Sequence, residues 1–361
     1  MTPNPLSGKP VLPRPPLVKL EGIQIIRALA ANLVVVDHSL LTTKTAYPEL
    51  AWIMGAVGVW LFFVVSGLIM QHTTAHEVRG AESARLFLVR RLVRIVPLYW
   101  LFTFVFITQA FLHGNYFKLE WIVKSLLFIP YTDAENQLHP IVQQGWTLNY
   151  EMLFYLIFAG SLLLPKRIGL LFIAAALIIL SAGTFLSLPV PFGAWTDPVV
   201  LLFGVGIVLS IIRPAITVPE GISGHLVTLA CLGTVVTVIL LWLAPTYPPS
   251  LTAHVLAWLA CATTILVAAS ARIKRSSFNQ FLALLGNASY STYLCHNIVI
   301  NPVYKLVGGK LGPALSIPVM VIGANIVGIM LYRFFETPLN KVLRSLTSAK
   351  HKMAPQVVQT V

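Results

Sequence analysis

The sequence predicts an all-α polytopic membrane protein, a bundle of about ten transmembrane helices with both termini in the cytoplasm. Three observations support this fold class. Hydrophobic residues make up 57% of the 361 residues, and the mean hydropathy is +0.81. Charged residues make up only 10%, against about 25% in typical soluble domains. Apolar runs of about the length that crosses a bilayer also recur along nearly the whole chain.

The chain begins with a polar segment rich in proline, residues 1–20, which is predicted to be a disordered cytoplasmic tail. The apolar run after it contains Arg27 and lacks a clear cleavage site, so it is expected to stay as the first span. Residues 21–340 are predicted to form one transmembrane domain, and residues 341–361 a basic cytoplasmic tail. A short apolar piece, 121–130, is interpreted as interfacial or re-entrant. The predicted spans are 23–41, 52–70, 95–112, 146–164, 168–187, 198–212, 226–244, 253–270, 289–304 and 313–335.

The distribution of basic residues predicts the orientation of these spans. Most Lys and Arg residues fall in alternate connections, and the side that holds them is predicted to be cytoplasmic. The net charge of +13 is divided among these short clusters, a pattern that argues against a nucleic-acid-binding face. The residues assigned to the cytoplasmic side are Arg79, Arg85, Arg90, Arg91, Lys166, Arg167, Arg213, Arg272, Lys274, Arg275, Lys341, Arg344 and Lys350.

The first span carries three ionisable residues, Arg27, Asp37 and His38. An ionisable side chain at bilayer depth costs about 2.5–3.5 kcal/mol, so such residues usually mark a pathway, a binding site or chemistry. Arg27 and His38 are 11 residues apart, which places them within about 20° on one helix face and roughly 16 Å apart along the axis. In the predicted orientation, Arg27 lies nearer the cytoplasm and His38 nearer the outer face. The alternative is that all three sit at helix ends and meet lipid headgroups or water.

A cluster of arginines, Arg90, Arg91 and Arg94, comes just before the third span. Arg91 and Arg94 are i,i+3 neighbours on a helix and are predicted to bind phosphate groups from the cytoplasmic side, because guanidinium groups form bidentate contacts with phosphate. The alternative is that the whole cluster only sets the topology.

The fourth span contains a carboxylate, Glu151. Helical spacing puts Thr147 and Tyr155 on the same face. A carboxylate at this depth is expected to orient an imidazole or raise its basicity, as the third member of a relay does. The alternative is an ion pair with a neighbouring helix, with Trp146 and Tyr150 forming part of an aromatic belt.

Two further polar pairs lie in the last two spans. Tyr293 and His296 share a helix face, and His296 is expected to bridge helices through hydrogen bonds. Arg333 and Glu336 are interpreted as a local i,i+3 ion pair at a helix end just before Pro338.

No metal site is expected from the sequence. His72 and His76 have i,i+4 spacing, but no third ligand is evident nearby. The three cysteines lie in apolar segments without paired or metal-like spacing, so neither a disulfide framework nor a zinc site is expected.

Taken in order, these motifs resemble those of the type 3 membrane acyltransferase family, bacterial inner-membrane enzymes that O-acylate exopolysaccharide, O-antigen and Nod-factor sugars. The resemblance extends from about residue 20 to residue 340 and is closest to the branch that acetylates exopolysaccharide. Each motif alone is weak, and the ordered set is specific. The motifs are Ile23–Ala31 followed by His38, Gly58–Gly67, Arg91-x-x-Arg94 ahead of Pro97–Trp100, Trp146-Thr-Leu with Glu151, and Ser291–His296.

The resemblance implies ten spans, acetyl-CoA or another acyl-CoA as a cytoplasmic co-substrate, and no permanently bound cofactor. It also implies that an essential motif, Arg and His separated by ten residues, falls on Arg27 and His38. Arg91 and Arg94 are implied to serve the donor side, with Arg90 beside them.

One position departs from the family pattern. The family usually has Asp after Gly-Val in the second helix, where this chain has Trp60. The function of that carboxylate is therefore either absent here or supplied by another group, with Asp37 and Glu151 as candidates. Ser66, at the end of the same motif, is expected to support the site.

The residues and the resemblance together predict the function. The protein is expected to move an acyl group, acetyl in the first instance, from cytoplasmic acyl-CoA to a hydroxyl of an exported polysaccharide or its lipid-linked precursor. His38 is the expected base, since its reference pKa is about 6.5. Arg27 is expected to line the donor's route or face the thioester carbonyl, and Glu151 to support His38. The sequence is compatible with direct transfer of the acyl group and with transfer through an acyl-enzyme intermediate.

Two other classes of function compete with this one. A transporter or flippase for a lipid-linked saccharide would use the intramembrane charges as substrate or proton sites, and it predicts paired broken helices and an internal repeat, neither of which is visible in the sequence. A non-enzymatic assembly or sensory protein predicts no binding of acyl-CoA.

Overall fold

The computed structural model describes residues 20–44, 47–216, 218–243, 251–274 and 276–352. Within these ranges the chain is helical and has no β-strand, which confirms the predicted all-α class. Apart from Leu20, the predicted tail 1–20 lies outside the described residues, as do Arg275 and the end of the predicted basic tail, 353–361. The helices are α1 (Glu21–Thr42), α2 (Pro48–Thr74), α3 (Ala81–Leu112), α4 (Leu119–Leu126), α5 (Trp146–Leu162), α6 (Lys166–Ala182), α7 (Leu201–Ile212), α8 (Glu220–Trp242), α9 (Leu251–Ser270), α10 (Ser277–Leu331) and α11 (Thr337–Lys352).

The chain is a multi-pass membrane protein. Eight segments of the described chain are long and apolar enough to cross a membrane. The two remaining predicted spans, 146–164 and 289–304, coincide with α5, which has 17 residues, and with the first part of α10. The eight segments are Glu21–Thr42, Pro48–Thr74, Ala81–Leu112, Lys166–Phe185, Pro198–Ala215, Gly224–Trp242, Leu251–Ser270 and Lys310–Leu343.

Helix α1 packs mainly against α2 and α10. The approach is close because glycines on the neighbouring helices face its backbone. A Cβ atom added at Gly58 of α2 would lie 2.7 Å from the Ala30 carbonyl oxygen, and one at Gly286 of α10 would lie 1.9 Å from that of Gln24. Small residues allow such contacts between helices in a membrane. The polar residues of α1 consequently face protein on several sides.

Helix α10 and the chain after it contain two irregularities. Gly312 has φ 64° and ψ 172°, a backbone conformation that favours glycine, and it divides α10 into two helical segments. One turn of π-helix, Tyr332–Glu336, follows and leads into α11. The predicted helix end before Pro338 is therefore wrong. Pro338 is the second residue of α11, directly after the π-helical turn, and the helix continues through it.

The short apolar piece between α3 and α5 forms α4, whose eight residues are too few to cross a membrane. Helix α4 is attached to α3 by side chains. The hydroxyls of Tyr99 and Ser125 lie 3.1 Å apart, and Trp100 Nε1 donates to the carbonyl oxygen of Leu126 at 3.0 Å. This connection leads the chain back to the start of α5, where the candidate site begins.

Candidate active site

The ionisable residues of α1 face two different cavities. Arg27 lines a cavity of about 170 Å³ together with Arg91, Arg94 and Glu151, and we call this the arginine cavity. Asp37 and His38 line a second cavity of about 800 Å³, which we call the histidine cavity. The 11-residue spacing on one helix therefore divides the cation and the imidazole between two compartments.

The arginine cavity collects positive charge from two helices. Arg27 comes from α1 and donates to Gln24 Oε1 at 3.1 Å, whereas Arg91 and Arg94 come from α3. The Arg91 guanidinium lies over the ring of Tyr155 at 5.9 Å from its centroid. Glu151 is the one carboxylate among the described residues that line this cavity, so three guanidinium groups face one negative charge. Such a site favours an anion that forms several hydrogen bonds, phosphate above all.

Glu151 faces the arginine cavity rather than His38, which corrects the predicted contact between them. Its carboxylate accepts hydrogen bonds from Ser66 Oγ at 3.1 Å and from the Tyr155 hydroxyl. The reason is depth: Glu151 comes five residues after Trp146, which lines the histidine cavity, and this is about 7.5 Å further along α5. Ser66 and Glu151 thus form a supporting pair for the cationic site.

Arg90 points away from both cavities. It is exposed and forms an ion pair with Glu77 at 2.9 Å. Neighbouring residues on a helix are about 100° apart, so Arg90 cannot share the face that Arg91 presents to the cavity. The structure thus separates Arg90 from Arg91 and Arg94, with which the sequence grouped it.

Glu336 also differs from its predicted role. It is buried and accepts a hydrogen bond from Ser291 Oγ at 2.6 Å, whereas Arg333 is exposed. The bond to Ser291 takes the place of the predicted i,i+3 ion pair between Glu336 and Arg333, because the π-helical turn changes the angle between these two residues. Glu336 lies close enough to Arg27 and Arg94 to interact electrostatically with both.

The histidine cavity is centred on the end of α1. His38 Nε2 lies 4.0 Å from Asp37 Oδ2, and the His38 and His296 rings lie 4.8 Å apart. His296 Nδ1 is 2.7 Å from the Tyr293 carbonyl oxygen, which can only accept, so Nδ1 carries the proton. His296 Nε2 keeps its lone pair and is buried without a hydrogen-bond partner in the part of the chain that the structure describes. Two imidazoles and a carboxylate therefore lie together at this site.

Aromatic side chains of α2 and α9 line the same cavity. The ring of Trp60 lies 5.7 Å from that of His254 and 6.2 Å from that of Trp258. Trp60 therefore shares its cavity with Asp37, whereas Glu151 lies in the other one.

The two cavities adjoin each other at Val59 and Tyr293, which line both. The Tyr293 hydroxyl lies 2.8 Å from Thr147 Oγ1 and donates to the Gln144 carbonyl oxygen at 2.9 Å. Gln144 in turn donates from Nε2 to the Leu294 carbonyl oxygen at 2.7 Å. These bonds fix the start of α5 against α10 at the boundary between the cavities.

Sequence reasoning missed several of these residues. Gln144 carries no sequence signal except its place just before Trp146, because its partners are about 150 positions away along the chain. His254 did carry a sequence signal, since an imidazole within an apolar run is unusual. The two predicted aromatic residues differ in location: Trp146 lines the histidine cavity, whereas the Tyr150 hydroxyl donates to the Ala194 carbonyl oxygen.

Gly55 provides the space for the Asp37 carboxylate. A Cβ atom at position 55 would lie 2.2 Å from Asp37 Oδ2. We expect Gly55→Ala to displace Asp37 or separate α1 from α2, and to destabilise the protein by about 1–3 kcal/mol, as overpacking does. The thermal stability of the purified protein measures the effect. The matched control is Gly233→Ala, whose Cβ meets no atom within 4 Å; a Gly55→Ala protein as stable as this control would show that the carboxylate has room.

The fold and the two adjoining cavities define a multi-pass membrane protein with a cationic compartment and an imidazole-containing compartment inside its helical bundle. The Acyl_transf_3 family model, described as an acyltransferase domain, matches residues 20–333, and the chain belongs to this acyltransferase family. The protein is accordingly an enzyme that transfers acyl groups.

Three known proteins are similar to this chain over most of its length. The exopolysaccharide production protein ExoZ of Rhizobium meliloti is 33% identical over 294 residues, which cover 79% of this chain and 90% of the relative. The acyltransferase MdmB of Streptomyces mycarofaciens is 26% identical over 80% of this chain and 82% of its own. The peptidoglycan O-acetyltransferase OatA of Listeria monocytogenes is 27% identical over 89% of this chain and 56% of its own. No solved structure matches the chain significantly.

Proposed function

We propose that this acyltransferase moves an acetyl group from acetyl-CoA in the cytoplasm to a hydroxyl of an exported polysaccharide or its lipid-linked precursor. The observation that carries this proposal is the division of charge between two adjoining cavities. One presents three guanidinium groups, and the other presents imidazoles, carboxylates and aromatic rings. A donor that carries phosphates and an acceptor that carries hydroxyls need these two different environments.

In this proposal, the arginine cavity binds the donor. Arg91 and Arg94 hold phosphate groups of CoA, and the acyl-bearing arm of CoA extends along Arg27 towards Val59 and Tyr293. Arg27 is placed to stabilise negative charge on the thioester oxygen, since a guanidinium near a developing oxyanion lowers the barrier. Ser66 and Tyr155 hold Glu151 in place, and Glu151 offsets part of the positive charge when no donor is bound.

The histidine cavity binds the acceptor and supplies the base. His38 takes the proton of the acceptor hydroxyl as its oxygen attacks the thioester carbonyl carbon. Collapse of the tetrahedral intermediate breaks the carbon–sulfur bond, and the leaving thiolate receives the proton from His38. Asp37 and His296, which flank His38, orient the imidazole and limit its rotation.

The same proposal includes the orientation in the membrane. Ten spans in a bacterial inner membrane, with α5 and the first part of α10 as two of them, put both termini in the cytoplasm. The excess of Lys and Arg in alternate connections supports this orientation. The arginine cavity then opens towards cytoplasmic acyl-CoA, and the histidine cavity lies towards the outer face, where an exported polysaccharide is accessible.

Deletion of the gene tests the function. We expect mass spectrometry of the surface polysaccharide to show the polymer at its normal amount without one acetyl substituent, because acetylation is lost and assembly is unaffected. Expression of the intact gene from a plasmid is the control and restores the substituent. Loss of the polymer itself would point to a transporter or flippase, and an unchanged, fully acetylated polymer would contradict the proposal.

A further inference from the structure

The lining of the histidine cavity differs in charge from that of the arginine cavity. Among the described residues that line it, two are carboxylates, Asp37 and Asp197, and none is Lys or Arg. Its other polar side chains include the amides of Gln137, Gln143 and Gln144, the imidazoles of His38, His139 and His254, and the Tyr293 hydroxyl. The ligand of this cavity therefore meets hydrogen-bond donors and acceptors and no fixed cation.

The aromatic wall of the cavity is built by two helices. Trp60 of α2 and Trp258 of α9 are nearly perpendicular, at 81°. Trp52 lies about two helical turns before Trp60 on α2, and its ring is 6.3 Å from that of His254. Trp258 Nε1 is buried without a hydrogen-bond partner in the part of the chain that the structure describes. Large aromatic faces next to an unsatisfied donor are unusual in a packed core and suit an amphipathic ligand.

A sugar ring has the chemistry that this wall requires. The C–H groups on one face of a pyranose are apolar and slightly positive, so they pack against the negative face of an indole ring. Its hydroxyls lie around the edge, where they donate to carboxylates and accept from amides and from an indole N–H. Asp37 lines the same cavity as His38, and its Oδ2 lies 4.0 Å from His38 Nε2, so an acceptor hydroxyl beside His38 has a carboxylate next to it.

The charges that line the histidine cavity indicate which class of sugar it binds. A uronate or a phosphorylated sugar would bring an anion next to Asp37 and Asp197, where the described lining residues include no guanidinium or ammonium group and only the imidazoles of His38, His139 and His254 can carry a positive charge. Removing a charge from water without such a partner costs several kcal/mol. We infer that the histidine cavity binds an uncharged sugar residue, against the aromatic wall that Trp52, Trp60 and Trp258 form, as the acetyl acceptor. This inference rests on the proposed function, because it names the substrate class of the same site.

Binding measurements on the purified, detergent-solubilised protein test this inference. The probes are neutral gluco-, galacto- and manno-configured tetrasaccharides and the matching tetramer of glucuronate, each followed by saturation-transfer NMR. We expect at least one neutral probe to bind and the glucuronate tetramer to bind at least about tenfold more weakly. Equal or tighter binding of the glucuronate tetramer, or no binding of any neutral probe, would overturn the inference.

Variants test the aromatic wall. We expect Trp60→Ala and Trp258→Leu each to weaken binding of the neutral probe about tenfold, which is about 1.4 kcal/mol, and Trp60→Phe to keep most of it. The matched control is Trp100→Phe, whose indole lies outside both cavities and bonds to Leu126. Wild-type affinity in both Trp60→Ala and Trp258→Leu would overturn the role of the wall.

Binding of acetyl-CoA by the same preparations distinguishes a failure of the proposed function from a failure of the inference about the acceptor sugar. Wild-type affinity for acetyl-CoA in the tryptophan variants shows that they are folded and that a loss of saccharide binding is local. If the wild-type protein fails to bind acetyl-CoA, the proposed function is wrong whatever the saccharides do. If it binds acetyl-CoA and acetylates a glucuronate polymer, the proposed function stands and the inference about a neutral acceptor fails.

Discussion

His38→Ala is expected to abolish acetylation of the cell's polysaccharide while the protein stays in the membrane at its normal level. General-base catalysis typically contributes about 10²- to 10⁴-fold to a rate. The neighbouring acceptor atoms without a partner in the described chain, His296 Nε2 and Asp37 Oδ1, are both buried, so neither replaces the partly exposed imidazole of His38. The measurement is the acetyl content of the purified polymer from a strain that carries only the variant.

The controls for this variant separate chemistry from folding. Binding of acetyl-CoA by purified His38→Ala is expected to equal that of the wild type, because His38 does not line the arginine cavity. His76→Ala removes an exposed imidazole at the end of α2 and is expected to leave acetylation unchanged. A fully acetylated polymer from the His38→Ala strain would exclude His38 as the base, and loss of acetyl-CoA binding would assign it a structural role.

The sequence predicts the first helix well because helix geometry alone determines the relation between Arg27 and His38. A fixed rise and a fixed angle per residue place the two side chains on one face at different depths. The same regularity locates the apolar runs, each of which falls in a helix. Properties that depend on one helix at a time are therefore predictable from the sequence.

Contacts between helices are not predictable in this way. Glu151 was expected beside His38, but its partner on another helix is Ser66, which is 85 positions away in the sequence. Glu336 likewise binds Ser291 because one π-helical turn changes its direction, and nothing in the residues Tyr332–Glu336 predicts that turn. Periodicity describes the face on which a residue lies, whereas the packing of the bundle decides which helix that face meets.

The combined change of Arg91→Ala and Arg94→Ala is expected to weaken the binding of acetyl-CoA by the purified protein at least about a hundredfold. Both guanidinium groups line the arginine cavity, and a hydrogen bond to a charged group contributes about 1.5–3 kcal/mol. The matched control is Arg85→Ala on the same helix, since Arg85 is exposed and paired with Glu82 at 3.0 Å. Isothermal titration measures all three proteins.

A donor without phosphates shows whether the loss comes from phosphate contacts. Acetyl-pantetheine has the thioester of acetyl-CoA but lacks its nucleotide phosphates, so it is expected to bind weakly and with equal affinity to the wild type and to the variant changed at Arg91 and Arg94. A variant that binds both donors as the wild type does would show that these arginines only determine the membrane topology. A variant that loses both donors to the same extent would show that the arginines shape the cavity instead of binding phosphate, because only phosphate contacts distinguish the two ligands.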